Sequence, residues 1–193
     1  EWYHDHGHDH NPSVPRAMEG RTILGFNYRM NELQGALGLA QLRKLDGLIA
    51  LQKKNKKAVK DALAEVKGVG FRELPDPDGD SATFLCFNLP SEDLRRRYQK
   101  ALKEAGLDTV CWKDNLWHYV PNWEHFLARS TANSKRFPFE SPMNSRPPVY
   151  DRKDIPRAED ILGRTLTIGM SVIMPQERID GIRQAIARAA RAL

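Results

Sequence analysis

The feature of this sequence that most constrains its fold is one long helical stripe of apolar residues that begins just after Asn31. Asn31 is an N-cap residue and Gln34 follows three positions later, which is the spacing of a capping box that opens a helix. Apolar residues then recur at helical spacing as far as VKGVG, where Gly68 is a stop signal. We therefore predict one long helix over residues 31–67. Its weak point is Gly47, because glycine costs a helix about 1 kcal/mol relative to alanine.

The two halves of this predicted helix differ in composition. The first half contains small residues that let a second backbone approach closely, namely Gly35, Ala36, Gly38 and Ala40. The second half, KKNKKAVKDALAEVK, is rich in charged side chains and is expected to be largely exposed. The helix is therefore expected to begin inside a packed body and to run out of it.

The segments that follow the helix alternate between strand and helix patterns. The apolar runs ATFLCFNL, LDTVCW and TLTIGMSV are predicted strands. A helix is predicted between the first two, capped by Ser91 and ended by Gly106, and a last amphipathic helix begins near Pro175. The stretch 113–160 is irregular, with one short helix over NWEHFLAR. This order predicts a small α/β domain of two layers, with helices packed on one face of a mainly antiparallel sheet.

The overall composition is that of a soluble globular protein, since 40% of the 193 residues are apolar and 28% are charged. No apolar stretch approaches the ~20 residues that span a bilayer, so no membrane association is expected. Cys86 and Cys111 each lie in an apolar, strand-like run without CxxC pairing. This favours two buried thiols in a reducing, cytoplasmic setting, and it leaves a disulfide open.

The positive charge is concentrated in the predicted long helix. Seven Lys or Arg residues lie between Arg43 and Lys60 against the single acid Asp46. Such a run is either a solvated helix face or a nucleic-acid footprint. Because no base-stacking aromatic residues are interleaved with the charges, the solvated face is favoured and no nucleic-acid partner is expected.

Four of the six histidines lie in the first ten residues, EWYHDHGHDH. Imidazole is a good ligand for zinc, copper or nickel, but a closed site needs converging ligands that a terminal run does not supply by itself. A polar loop beside an active site is favoured, a plain surface loop is the alternative, and no metal is expected.

The usual catalytic motifs are missing from the sequence. It contains no GxSxG, P-loop, dinucleotide-binding or HExxH motif. His118 and His125 have the acids Asp114 and Glu124 near them, but this spacing does not make a catalytic triad. The residues alone therefore identify no catalytic set.

The most specific stretch is GFNYRMNELQGALGLAQLRKLD. It resembles the GxNxRM…E…AAxxxxQLxxLD signature of the DegT/DnrJ/EryC1/StrS family, the sugar aminotransferases that use pyridoxal phosphate. The resemblance extends over the whole chain, since WHYVPNWEHF and TLTIGMSVIMPQERIDGI are similar to the family's substrate-side segment and to its last strand and helix. Within the family, YHDHGHDHNPSVPR looks most like the transaminases that make 8-amino-3,8-dideoxy-manno-octulosonate, a lipopolysaccharide sugar.

The resemblance implies a domain organisation and a function. Residues 1–30 would end the large cofactor-binding domain, residues 31–67 would form the interdomain helix, and residues 68–193 would form the C-terminal small domain of a fold-type I aminotransferase. Because the chain begins on Glu1 without an initiator Met, we expect it to be a segment of a longer protein. The complete enzyme is expected to be a cytoplasmic homodimer, joined through the large domain. It would move an amino group from an amino acid, glutamate, to a keto-sugar in cell-envelope polysaccharide synthesis.

The resemblance also implies roles for individual residues. In the family the Schiff-base lysine lies upstream, so this chain is expected to hold no catalytic residue and to be inactive alone. Asn27 would reach the cofactor phosphate of the neighbouring subunit, with a turn residue as the alternative. Arg29 would pair with the same region or with a carboxylate in the large domain, with a surface or interdomain ion pair as the alternative. His6, His118 and Tyr119 are the candidates on the substrate side, and core packing is the alternative for the last two.

Overall fold

A computed structural model of this protein describes residues 13–15, 30–146, 148–151 and 153–193. The chain divides into two compact units, residues 1–47 and residues 48–193. The second unit contains the sheet and the cavities described below.

Two helices occupy the region that was predicted as one. Helix α1 covers Glu32–Leu42 and helix α2 covers Leu45–Ala64. The capping box at the start of α1 is confirmed, because the Gln34 N–H donates to Asn31 Oδ1 at 2.9 Å and the Asn31 N–H donates to Gln34 Oε1 at 3.0 Å. The break lies at Arg43 and Lys44, a few residues before Gly47, because a bond from Lys44 N–H to Gln41 O tightens the last turn of α1.

The packing expected for the first half against a further body stays a prediction, and the expected exposure of the second half is wrong in part. Helix α1 buries none of its residues, and Leu33 at its start is 78% exposed. The polar second half of the region instead packs into the core, since α2 buries Asn55, Lys56, Val59 and Leu63. The apolar stripe that includes Val59 and Leu63 packs into the core, and the aliphatic stems of neighbouring lysines can lie along the packed surface.

A three-stranded antiparallel sheet forms the centre of the second unit. Its strands are β1 (Gly70–Phe71), β2 (Phe84–Asn88) and β3 (Thr165–Gly169), in the order β1-β2-β3. Cys86 of β2 lies opposite Thr167 of β3 in the register.

The core lies against one face of this sheet. Leu85 and Phe87 alternate with Cys86 along β2 and point into a cluster that includes Tyr98 and Ile186. These last two residues come from α3 (Glu92–Glu104) and α6 (Gln176–Ala189). The predicted α/β layering, with helices on one face of an antiparallel sheet, is confirmed. The predicted ends of α3 are also confirmed, because Ser91 caps it and Gly106 follows it with φ +89°.

One predicted strand is largely absent. The run LDTVCW contributes a single bridge, Val110 to Thr167, after which the chain turns into a 3₁₀ turn at Trp112–Asp114. The Trp112 indole N–H donates to Thr167 Oγ1 at 2.9 Å and so covers β3 from the side opposite the core. This contact explains why the three consecutive residues Leu166, Thr167 and Ile168 are all buried.

The stretch predicted as irregular contains two short helices. Helix α4 is limited to Glu124–Leu127, inside the predicted NWEHFLAR segment. Helix α5, Pro156–Gly163, was not predicted, although a proline at the first helical position is a recognised start signal.

Candidate functional site

Residues 112–122, named here segment 112–122, carry two of the predicted substrate-side residues. The segment consists of the 3₁₀ turn Trp112–Asp114, a loop, and a second 3₁₀ turn at Val120–Asn122. The Asn122 side-chain amide donates to the Lys113 carbonyl at 2.9 Å and to the Asn115 carbonyl at 3.2 Å. These bonds close the segment on itself and fix the direction of its side chains.

Lys113 ties this segment to two helices. Its ammonium donates to Glu92 Oε2 on α3 at 2.7 Å and lies 3.3 Å from Glu159 Oε1 on α5. The bond to Glu92 raises the pKa of Lys113, and the same bond, together with one from Arg96, lowers the pKa of Glu92. Both groups are therefore charged at neutral pH.

Arg95 makes a second tie to the same segment from inside the domain. Its side chain is 1% exposed and its guanidinium bonds the Gly163 carbonyl at 2.8 Å, Gln99 at 2.9 Å and Asp114 at 3.0 Å. A buried guanidinium is stable only where its N–H groups are paired in this way. Arg95 thus joins α3, the end of α5 and segment 112–122.

His118 borders a groove on the sheet face opposite the core. The groove has a volume of about 540 Å³, and its lining includes Phe84, Asn88 and Trp112. The imidazole packs edge-on against the Trp112 ring at 5.0 Å, and its Nδ1 lies 3.1 Å from Asn115 Oδ1. His118 is therefore oriented by one ring and one amide oxygen.

Tyr119 lines a different cavity, of about 460 Å³, with Lys113, Pro121, Asn122 and Glu159 among its neighbours. The Tyr119 side chain is buried, and its hydroxyl has no hydrogen-bond partner among the residues that the structure describes. Burial is the main cause that raises the pKa of Tyr119, so the phenol is neutral at physiological pH. The two adjacent candidates His118 and Tyr119 therefore do not share one site.

The remaining predicted site residues cannot be placed. His6, Asn27 and Arg29 lie outside the described residues. Their proposed roles stay predictions.

The lysine-rich face of α2 is engaged within the domain. Lys56 pairs with Asp80 at 2.5 Å and thereby lowers the pKa of that carboxyl, and Lys57 pairs with Asp61 at 2.6 Å. Lys53 donates to the Asp78 carbonyl. These contacts occupy charges that a nucleic-acid interface would present to phosphates.

Neither a metal site nor a membrane span is found in the described part of the chain. Within residues 30–146, 148–151 and 153–193, no group of three or more His, Cys, Asp or Glu side chains is arranged to hold a metal ion. The histidines of the first ten residues lie outside that part. Among the described helices, none has both the length and the apolar character required to cross a bilayer. Cys86 and Cys111 are both free thiols.

Several residues of this site were missed by the sequence reasoning. Glu92 and Glu159 were not among the predicted site residues, and helix α5, which carries Glu159, was not predicted. Lys113 contacts Glu92 and Glu159, and Arg95 contacts the Gly163 carbonyl. These partners are far apart in sequence, and no local spacing indicates the contacts. The proline that begins α5 was the one available signal.

Comparison with known proteins identifies the family. A model of the DegT/DnrJ/EryC1/StrS aminotransferase family matches residues 1–139. The chain belongs to this family. The match includes the GFNYRM stretch and segment 112–122, so the resemblance read from the sequence is confirmed at the level of the family.

Several solved structures share the fold of this chain. Helicobacter pylori PseC, an aminotransferase involved in the biosynthesis of pseudoaminic acid, superposes with a TM-score of 0.60 at 15% identity. It matches 99% of this chain, which spans 45% of the length of PseC. A synthase of 3-amino-5-hydroxybenzoic acid superposes with a TM-score of 0.56 at 18% identity. The match covers 99% of this chain and 46% of the synthase chain. The sugar aminotransferase CalS13 from Micromonospora echinospora superposes with a TM-score of 0.54 at 17% identity. The match covers 94% of this chain and 41% of CalS13. This chain thus corresponds to less than half of each relative, and identities at this level establish the fold alone.

Proposed function

We propose that this chain is the C-terminal part of a pyridoxal phosphate-dependent aminotransferase that transfers an amino group from an amino acid, glutamate, to a keto-sugar. The observation that carries the proposal is the family match over residues 1–139. The fold supports it, because sugar aminotransferases of known structure superpose on the chain over nearly its whole length. The complete enzyme would act in the cytoplasm in cell-envelope polysaccharide synthesis.

The proposed domain organisation places residues 1–30 at the end of the large domain, residues 31–67 between domains and residues 68–193 in the small domain. Support comes from the exposed apolar side chains of α1, which are Leu33, Leu37, Leu39 and Leu42. Exposed apolar side chains on a helix are typical of a surface that packs against another body.

The narrower substrate assignment rests on the first residues of the chain. The stretch YHDHGHDHNPSVPR supports a substrate related to 8-amino-3,8-dideoxy-manno-octulosonate, a lipopolysaccharide sugar. The relatives of known structure named above include one that makes a benzoic acid derivative, so the family fold by itself does not choose the substrate.

The lysines of the chain do not fit the role of the residue that holds pyridoxal phosphate. When bound, the cofactor supplies an electron sink for amino-group transfer, and it requires a lysine amine that can be neutral. Lys56 and Lys113, whose side chains are 11% and 20% exposed, are both ion-paired, and pairing raises the pKa of Lys113. We therefore propose that the chain alone is inactive and that the complete enzyme supplies this lysine from elsewhere.

Asn27 and Arg29 are proposed to serve the cofactor across a homodimer interface. A side-chain amide is a suitable neutral donor to a phosphate, and a guanidinium suits the same anion or a nearby carboxylate. His6 and His118 are proposed to lie on the substrate side, with Tyr119 contributing through its own cavity.

The alternative of a basic module for nucleic acid or another anionic polymer is less well supported. Its footprint would be the lysine-rich face of α2, where Lys53, Lys56 and Lys57 are bonded to acidic or carbonyl groups of the same domain. Steeply salt-dependent binding of DNA to the chain would favour that alternative.

The test uses the complete protein of which this chain is proposed to be part. Purified enzyme should carry a visible absorbance band from bound cofactor, and the band should change when glutamate is added. Asn27→Ala should weaken cofactor retention on dialysis, whereas Asn144→Ala, in a turn of the second unit, should not. A colourless protein that takes up no pyridoxal phosphate would refute the aminotransferase assignment.

A further inference from the structure

A groove lies between the last helix, α6, and the outer edge of strand β3. It has a volume of about 670 Å³, and its described lining comes from residues 105–108, from the end of β3 and from one side of α6. We name it the α6 groove. None of its described lining residues belongs to segment 112–122 or to the cavities that His118 and Tyr119 line. It is therefore separate from the candidate site described above.

Strand β3 has unpaired backbone groups where it borders the groove. The Met170 N–H donates to the carbonyl of the residue before β2, so Gly169 turns its own N–H and C=O away from β2. On that outer side, Val110 exchanges two backbone hydrogen bonds with Thr167. No such bond joins Asp108 to Gly169, so the pairing ends there. Gly169 is exposed, and its two backbone groups can pair with an added extended chain, as at other open sheet edges.

Two arginines of α6 flank the groove. Arg178 and Arg188 are ten positions apart in one helix, which places their Cα atoms about 15 Å apart. The Arg178 guanidinium makes no hydrogen bond or ion pair with any residue that the structure describes. Arg188 donates to the Ala105 carbonyl at 3.1 Å, and the rest of its guanidinium has no partner in the described part of the chain. Both side chains are therefore available to a carboxylate.

The remaining lining restricts what the groove can accept. Among the described lining residues Asp108 is the one acid, against two arginines, so the groove has a surplus of positive charge. Between the arginines the lining is apolar, because it consists of the buried side chains of Ile182 and Ala185 together with Gly181. A matching ligand has negative charge at both ends and an apolar group between them.

An extended peptide meets these requirements. Side chains on one face of a strand recur every two residues, so residues i and i+4 lie about 13 Å apart with residue i+2 between them. This spacing is close to the ~15 Å between the Cα atoms of Arg178 and Arg188. The peptide backbone also supplies the donor and the acceptor that Gly169 lacks. An inorganic polyanion has neither an apolar centre nor an N–H group for the Gly169 carbonyl.

We propose that the α6 groove is a docking surface for an extended acidic segment of a partner protein, in which two carboxylates lie four residues apart with an apolar residue midway. The carboxylates pair with Arg178 and Arg188, and the apolar side chain lies over Ile182 and Ala185. The backbone of the segment bonds Gly169. This interaction lies beyond the proposed enzymatic function and does not depend on it.

The test is binding of a fluorescently labelled peptide, SETVTES, to the 193-residue chain at low ionic strength, measured by fluorescence anisotropy. Its two glutamates are four positions apart and its valine lies midway. We expect a micromolar dissociation constant, no binding of SKTVTKS and no displacement by tripolyphosphate. Arg178→Met should weaken binding about five- to tenfold. Arg183→Met removes the same charge from the same helix outside the groove, and should change binding less than about twofold.

A variant that fills the groove separates binding from folding. A Cβ at Gly181 would meet no atom within 4 Å, and leucine is a better helix former than glycine. Gly181→Leu should therefore keep or raise the Tm of the free chain while it abolishes peptide binding.

Four results would each overturn the proposal. They are absence of SETVTES binding, equal weakening by Arg178→Met and Arg183→Met, displacement of the peptide by tripolyphosphate, and full binding by a stably folded Gly181→Leu. Displacement by tripolyphosphate would show a general anion site instead of a peptide site. If Gly181→Leu lowers the Tm, the comparison of Arg178→Met with Arg183→Met decides the question.

Discussion

The ammonium of Lys113 lies 2.7 Å from Glu92 Oε2 and 3.3 Å from Glu159 Oε1, so one cation joins α3, segment 112–122 and α5. The pair is partly shielded from water, since the Lys113 side chain is 20% exposed. Shielding makes such a contact stronger than an exposed surface pair.

Replacing Lys113 should therefore destabilise the domain. Lys113→Met keeps the aliphatic stem but leaves Glu159 without its cation and Glu92 with only its arginine partners. We expect the free energy of unfolding to fall by about 1.5–3 kcal/mol, as for other bonds to charged groups, measured by urea denaturation. Lys100→Met is the matched control, because Lys100 is exposed and its ammonium lies 3.9 Å from Glu104 Oε1, which makes a weak ion pair. Equal losses in the two variants would contradict a special role for Lys113.

Acid should weaken the domain through Glu92. Hydrogen bonds from Lys113 and Arg96 hold its pKa in the folded state below the ordinary value of 4.5. A carboxyl with a lowered folded pKa stabilises the protein above its unfolded pKa, and this contribution is lost as the pH falls through the folded pKa. We expect Glu92→Gln to be less stable than the unmodified chain at pH 7 and to lose less stability below pH about 4.5. Asp93→Asn, in the same turn but exposed, is the control, and an unchanged acid profile in Glu92→Gln would refute the assignment.

Arg95 should be one of the least replaceable side chains of the second unit. Arg95→Met removes a guanidinium that is 1% exposed and leaves Asp114 and the Gly163 carbonyl without their donor. Breaking a buried pair in this way costs about 3–5 kcal/mol of unfolding free energy, to be measured by chemical denaturation. Arg96→Met, at the exposed neighbouring position, should cost less than about 1 kcal/mol. An equally small loss in Arg95→Met would show that the guanidinium does not hold α3, α5 and segment 112–122 together.

Replacement of glycine by alanine should change the unfolding free energy in opposite directions at Gly181 and Gly106. A Cβ at Gly181 or at Gly106 would meet no atom within 4 Å, but Gly106 has φ +89° and Gly181 lies inside α6. Gly181→Ala should raise the unfolding free energy by up to about 1 kcal/mol, because alanine is the better helix former. Gly106→Ala should lower it by about 1–2 kcal/mol, because a side chain is strained in the left-handed region. Thermal melts of both variants test the pair, and a loss in Gly181→Ala would show hidden crowding on α6.

The ends of several helices could be predicted from the sequence, because they depend on residues that are neighbours in the chain. The capping box of Asn31 and Gln34, the Ser91 cap of α3 and the stop at Gly106 were all read correctly, because each is a bond or a backbone angle within a few residues. Strand LDTVCW was misjudged, because its apolar character reflects burial of Cys111 and Leu107 and not pairing along a ladder.

The sequence by itself determined the family, the α/β layering and the positions of the main helices, since these follow from motifs and periodicities that are continuous in the chain. Only the tertiary structure decided that part of the lysine-rich helix α2 is buried, that His118 and Tyr119 line separate cavities, and that Lys113 and Arg95 meet Glu92, Glu159 and Gly163. Burial and charge pairing depend on residues brought together from distant parts of the chain. The free energy of each such group is set by those neighbours and not by the residues beside it in sequence.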